Sequence, residues 1–188
     1  MKLSPRLIRR VGATAAAVAA AVLIPAVALA APGRATSPAA APGCTQAQLR
    51  TWIGLPGDGT AGTVFYELEI SNVSARTCTL LGFPGVSATG VNGAQLGSPA
   101  IRNSSHPARL ITLGRGATAH VNLGIVDVFA FPAGACHPVT ATGLRVFAPG
   151  DFRSETVPFT FKACQKSGPK FLNVTATVAG TGIPLFSS

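Results

Sequence analysis

From Thr63 to Ser71 the chain alternates: Val64, Tyr66, Leu68 and Ile70 fall on one side, Phe65, Glu67 and Glu69 on the other. A period of two with the acids confined to one side describes a β-strand whose apolar face turns inward and whose acids face solvent. Helical spacing would scatter the same acids across the apolar face. Beyond the first thirty residues no segment carries a sustained i, i+3, i+4, i+7 apolar stripe. A fold made from this chain therefore has to be made from strands.

The punctuation agrees. The chain holds 21 Gly and 15 Pro, nearly all after residue 30. They make up roughly a fifth of that part, below the ~25 % at which low-complexity disorder is expected, and they separate short apolar runs as turn residues do. Those runs predict strands at Leu49 to Ile53, Cys78 to Leu81, Val86 to Ala88, Arg109 to Leu113, Ala117 to Leu123, Gly143 to Phe147, Glu155 to Phe161 and Phe171 to Val178. The turn residues Asn72 to Arg76 predict a hairpin between the Thr63 strand and the Cys78 strand. Gly82-Phe83-Pro84-Gly85 forces a change of direction, and Gly114-Arg115-Gly116 a tight turn. Short strands at this spacing predict an all-β, two-sheet antiparallel, immunoglobulin-like sandwich.

The N-terminus sets the compartment. Lys2, Arg6, Arg9 and Arg10 form a basic head, Val11 to Ala30 is an uncharged apolar run, and Ala28-Leu29-Ala30 is a small-x-small pattern. This is an export signal cut between Ala30 and Ala31. The alternative, an uncleaved membrane anchor, is disfavoured because Ala makes the run weakly hydrophobic. Residues 31–43 read as a Pro/Ala-rich flexible linker, 44–180 as one folded domain and 181–188 as a C-terminal tail. No stable membrane anchor is expected, so the expected product is secreted and soluble. Four of the fifteen Lys and Arg lie in the signal and all six acids beyond it, leaving a mild +5. With no basic stripe, nucleic acid is not an expected partner. Lys162, Lys166 and Lys170 read as a solvated loop around Gly168-Pro169.

In an exported chain Cys44, Cys78, Cys136 and Cys164 form two disulfides. Three pairings are open. Cys44–Cys78 and Cys136–Cys164 are favoured because each encloses a moderate loop and staples one half of the domain. Metal ligation is disfavoured, since the chain has no CxxC pair and no close Cys/His cluster.

Several of these residues also resemble a known pattern: Cys44 before Gly62-Thr63-Val64-Phe65-Tyr66; Asn72-Val73-Ser74-Ala75-Arg76-Thr77-Cys78-Thr79-Leu80; Gly82-Phe83-Pro84-Gly85-Val86; Cys136-His137-Pro138-Val139; Gly143-Leu144-Arg145-Val146-Phe147; and Cys164. They resemble the secreted actinobacterial family catalogued as domain of unknown function 4232, over roughly Cys44 to Val178. The resemblance implies an extracellular, disulfide-bearing β domain and supplies no activity and no site residues. It also implies a bacterial host, in which the glycosylation-like triplets at Asn72, Asn103 and Asn173 are turn and strand residues.

No motif announces catalysis. His106 lies in a polar turn, His120 in a strand, and His137 beside Cys136. Glu67 and Glu69 would suit paired-carboxylate work, but a solvent face is the commoner reason for such a pair. GxSxG, HExxH, SxxK and phosphate-loop patterns do not occur in a supporting context. No catalytic residue, cofactor or metal is therefore expected. Tyr66 is read as core. Trp52, with Phe129 and Phe131 in the apolar Val126 to Pro132 segment, forms a candidate contact patch. The expected function is a non-catalytic binding or structural module at the cell envelope, with an extracellular protein or envelope polymer as partner. The alternative is a secreted hydrolase that holds His120 or His137 beside a carboxylate and a nucleophile.

Overall fold

The computed structural model describes residues 40–182, apart from the side chains of 55–58. The export signal with its Ala30–Ala31 cleavage point, most of the linker and the tail beyond residue 182 lie outside the described residues. The strands in chain order are β1 Leu49–Thr60, β2 Thr63–Asn72, β3 Cys78–Leu80, β4 Gly85–Thr89, β5 Gln95–Leu96, β6 Ile101–Arg102, β7 Ile111–Leu113, β8 Thr118–Val126, β9 Pro138–Phe147, β10 Ser154–Cys164, β11 Leu172–Val174 and β12 Val178–Ala179. Short 3-10 turns at Gln46–Gln48 and Val128–Ala130 and a one-turn helix, Ala133–Cys136, complete them.

The protein is an all-β domain. One sheet runs β1-β2-β8-β11-β6, with β12 also on β8; the other runs β10-β9-β4-β5; β3 and β7 form a two-stranded ribbon. Every pair is antiparallel except β11 with β6. The inner faces of both large sheets supply one buried cluster, with Leu68 and Ile70 from β2, Val121 and Leu123 from β8, Val86 from β4, Leu144 and Val146 from β9, and Val157 from β10. These are alternate residues on their strands, as burial of one face per sheet requires.

Two expectations change. The predicted hairpin does not form: β2 pairs with β1 and β8, while β3 pairs with β7. Asn72 is the reason the turn exists without one. It is fully buried, its Nδ2 donates to the Arg76 and Leu113 carbonyls (2.7 and 2.9 Å) and its Oδ1 accepts from the Ser74 N–H (3.0 Å). The chain is thus turned out of the sheet toward β7. The predicted Phe171 to Val178 strand is in turn two short strands, β11 and β12, separated by residues 175–177.

The edge between the sheets is stitched by polar groups. Gln46 N–H donates to Asp151 Oδ2 (2.6 Å), Thr51 N–H to Glu155 Oε2 (2.9 Å) and Arg50 to Glu155 Oε1 (2.7 Å), while Gln46 Oε1 accepts from Ala148 N–H (3.1 Å). The Gln46 and Arg153 N–H groups hold the Asp151 carboxyl below its ordinary range. The last linker residues are pinned as well: Thr79 N–H donates to the Pro42 carbonyl and Cys44 N–H to the Thr79 carbonyl, both at 2.8 Å.

The disulfides join Cys44 to Cys78, 34 residues apart, and Cys136 to Cys164, 28 apart. Both bridges are buried. On the loop-entropy model each adds about 3.5–4 kcal/mol. Replacing Cys44 and Cys78 together by Ala is expected to lower unfolding stability by about 3–4 kcal/mol in a guanidinium titration; a loss under about 1 kcal/mol would contradict this account of the staple.

Candidate functional site

At one end of the sandwich the two sheets do not close on each other. The β1–β2 turn, the end of β8 and the C-terminal part of β10 leave a cleft of about 450 Å³, lined by Val64, Tyr66, Ile125, Val128 and Phe161, with Asp127 and Lys162 among the polar lining. That size is ordinary for a small-ligand pocket. Tyr66 is half-buried on the inner face of β2. Its ring meets Phe159 edge-on at 4.9 Å, and Phe159 lies 5.3 Å from Phe161. The three rings form one run of aromatic contacts. Asp127 caps the following 3-10 turn by accepting from the Phe129 N–H (3.0 Å). That turn buries Val128 and leaves Phe129 67 % exposed. Phe131 is half-buried and packs against the core. Lys162 donates to Thr140 Oγ1 (3.1 Å).

A second constellation lies on the opposite, outer face of the same strand. Trp52 on β1 pairs with Glu69 on β2, Glu69 pairs with His120 on β8, and His120 pairs with Val178 on β12. Residues directly opposed in an antiparallel pair share a face, so Trp52, Glu69 and His120 form one row, with Glu67 and Asn122 forming the next. The expectation that Glu67 and Glu69 face solvent is overturned: they are 6 % and 4 % exposed. The backbone of residues 180–182 covers them, with Gly182 N–H donating to Glu69 Oε1 (2.9 Å). Alternation within β2 reports which side an acid is on, but not whether a distant segment lies over that side.

Burial pushes the Glu67 carboxyl above its ordinary value, offset by the nearby His120 and reinforced by Glu69. Burial raises Glu69 too, offset by the Gly182 N–H and then by His120. His120 Nδ1–H donates to the Gly180 carbonyl (2.8 Å), and the Ser71 hydroxyl pairs with the Thr118 hydroxyl. His106 and His137 are exposed and bond to Ser105 Oγ and Gln165 Oε1. Among the described residues no group of three or more His, Cys, Asp or Glu side chains is arranged to hold a metal ion. No described helix is long and apolar enough to cross a membrane.

The predicted contact residues thus separate. Phe129 and Phe131 belong to the cleft end, next to Val128. Trp52, 40 % exposed, stands on the outer face opposite Glu69, three residues along β2 from Tyr66 of the cleft and on the other side of the sheet. Sequence reasoning missed the cleft because its lining comes from three strands distant in the chain. The one available signal was Tyr66, a polar-tipped ring on the inward side of a strand.

A family model described as Domain of unknown function (DUF4232) matches residues 44–180. The chain belongs to this family. In DUF4232 terms, the matched span takes in both disulfides, the cleft and the Trp52–Glu69–His120 row, and it ends at Gly180, where the covering segment begins. No curated protein and no solved structure matches the chain.

The buried acids carry a pH consequence. A carboxyl whose folded pKa lies above its unfolded value binds protons more tightly in the folded state, so the contribution of Glu67 and Glu69 to stability is greatest in acid and falls as pH rises from near 4.5 through the raised values. Asp151 has the opposite sign, but its change lies below 3.8 and outside that window. Glu67→Gln is therefore expected to flatten the decline in unfolding stability between about pH 4.5 and pH 8, and to be the more stable protein at the upper end. Urea titrations across that range would tell; equal slopes for the two proteins would contradict the burial argument.

Proposed function

We propose that the chain is exported and works outside the cytoplasm as a non-catalytic binding module, holding an apolar part of an extracellular protein or envelope polymer in the cleft between β2, β8 and β10. The cleft carries this reading: Tyr66, Ile125 and Phe161 line an opening where the sheets could have closed, with exposed Val64 at its mouth and Phe129 beside it. Apolar walls with a few polar groups at the rim are what ligand sites are usually made of. The two disulfides favour an oxidising compartment, in keeping with the export signal read in residues 1–30.

The second reading is a hydrolase centred on His120. The observation in its favour is the placement of His120 beside two buried carboxylates. Against it, the Ser71 and Thr118 hydroxyls, opposite each other on the same two strands, bond each other and not the imidazole.

Immobilised mature protein exposed to cell-envelope fractions is expected to retain a protein, polymer or glycan. Val64→Glu, which puts a charge in the cleft mouth at an already exposed position, should weaken that retention at least ~10-fold, about 1.4 kcal/mol. Absence of any retained component, or equal retention by the variant, would count against the cleft.

A further inference from the structure

The polar face of the large sheet is crossed by a segment whose seating is specific. After β12 the chain turns at Gly180, whose φ of 93° lies in the left-handed region. Gly180 N–H donates to the Thr118 carbonyl (2.8 Å) and its own carbonyl accepts from His120 Nδ1–H (2.8 Å). Two residues later Gly182 N–H reaches Glu69 Oε1, and a Cβ on Gly182 would stand 2.5 Å from Glu67 Oε2. A side chain at this position would crowd the Glu67 carboxyl. Oε2 of Glu67 and Oε2 of Glu69 are buried without a hydrogen-bond partner among the described residues. A covered carboxylate with an unanswered oxygen is costly when ionised and much less so when protonated.

We propose that residues 180–182 form a proton-gated strap, seated over Glu67 and Glu69 in acid and lifted from them as pH rises, which uncovers the two acids and His120. The strap stands apart from the cleft, since it acts on the other face of β2.

The groups facing the pair can be named from every side. β2 supplies Glu67 and Glu69 themselves, and β8 supplies His120 and Asn122. β1 supplies Trp52 and Gly54; Arg50, on the same face, is drawn away to Glu155. β12 and the strap, residues 178–182, carry no charge. Closing the strap therefore removes water from two acids and offers them one N–H. With both carboxyls raised by burial, the closed form binds protons more tightly than the open one, so acid favours closure and ionisation favours opening.

Amide hydrogen exchange on the full mature chain, corrected for intrinsic exchange, reads the strap directly at Gly182. Its protection should fall ~10-fold or more between about pH 5 and pH 8, while the Leu68 and Val121 amides keep theirs. Gly182→Ala, which crowds the Glu67 carboxyl but leaves both acids in the chain, should lower the protection of residue 182 at both pH values. Glu67→Gln/Glu69→Gln should keep it protected at both. Should the double variant not fold, Glu67→Gln alone, which leaves the Gly182 acceptor in place, should show a smaller fall than the wild type. Protection that is independent of pH in the wild type, or a fall in the Gln variants as large as in the wild type, would overturn the strap.

Discussion

The rest of the domain depends on the nine-residue antiparallel register between β2 and β8, from Thr63 opposite Val126 to Ser71 opposite Thr118. It sends Leu68, Ile70, Val121 and Leu123 to the core and Glu67, Glu69, His120 and Asn122 to the other side. A slip by one residue would exchange the two sets and put both acids into the hydrophobic cluster. The same register brings Val64 and Tyr66 beside Ile125 and Leu123, which places the cleft where β2 begins and β8 ends. One pairing thus produces a core, an open mouth and a polar face.

The strand is unusual in being covered on both sides over its second half. Its inner face is paid for by apolar burial. Its outer face gains no such return, because the cover is a stretch of main chain and the covered groups are carboxyls whose Oε2 atoms find no hydrogen-bond partner among the described residues. Such groups are rare in folded proteins and call for an explanation. A face that is stable when protonated and costly when ionised is one that can open without disturbing the core beneath it. The edge network of Gln46, Arg50, Asp151 and Glu155 shows the contrast. Every oxygen of Asp151 and Glu155 there accepts a hydrogen bond.

Much of the fold was legible in the sequence. The alternation around Leu68, the Gly and Pro punctuation and the runs at Val86, Val121 and Val146 all correspond to strands, because burial of one face writes itself into every second residue. Pairing was less legible. The turn after β2 looks like a hairpin turn, yet Asn72 spends its side chain on Arg76 and Leu113 and steers β3 to β7. The burial of Glu67 and Glu69 was not legible at all, since the cover comes from Gly180 to Gly182, more than a hundred residues later and with no apolar side chain to mark it. The cleft was half-legible. Tyr66 was seen as inward, but Phe159, Phe161 and Ile125 meet it only once the sheets are stacked. Trp52 and Phe129, both readable as exposed aromatics, proved to serve different faces.

The most direct measurement of the binding account is chemical-shift mapping on the labelled mature domain with an envelope component that it retains. The account predicts perturbations centred on Val64, Tyr66, Ile125, Val128 and Phe161, with the Glu69 and His120 resonances unmoved. Perturbations centred instead on Glu67, Glu69 and His120, with turnover of the added component, would contradict it.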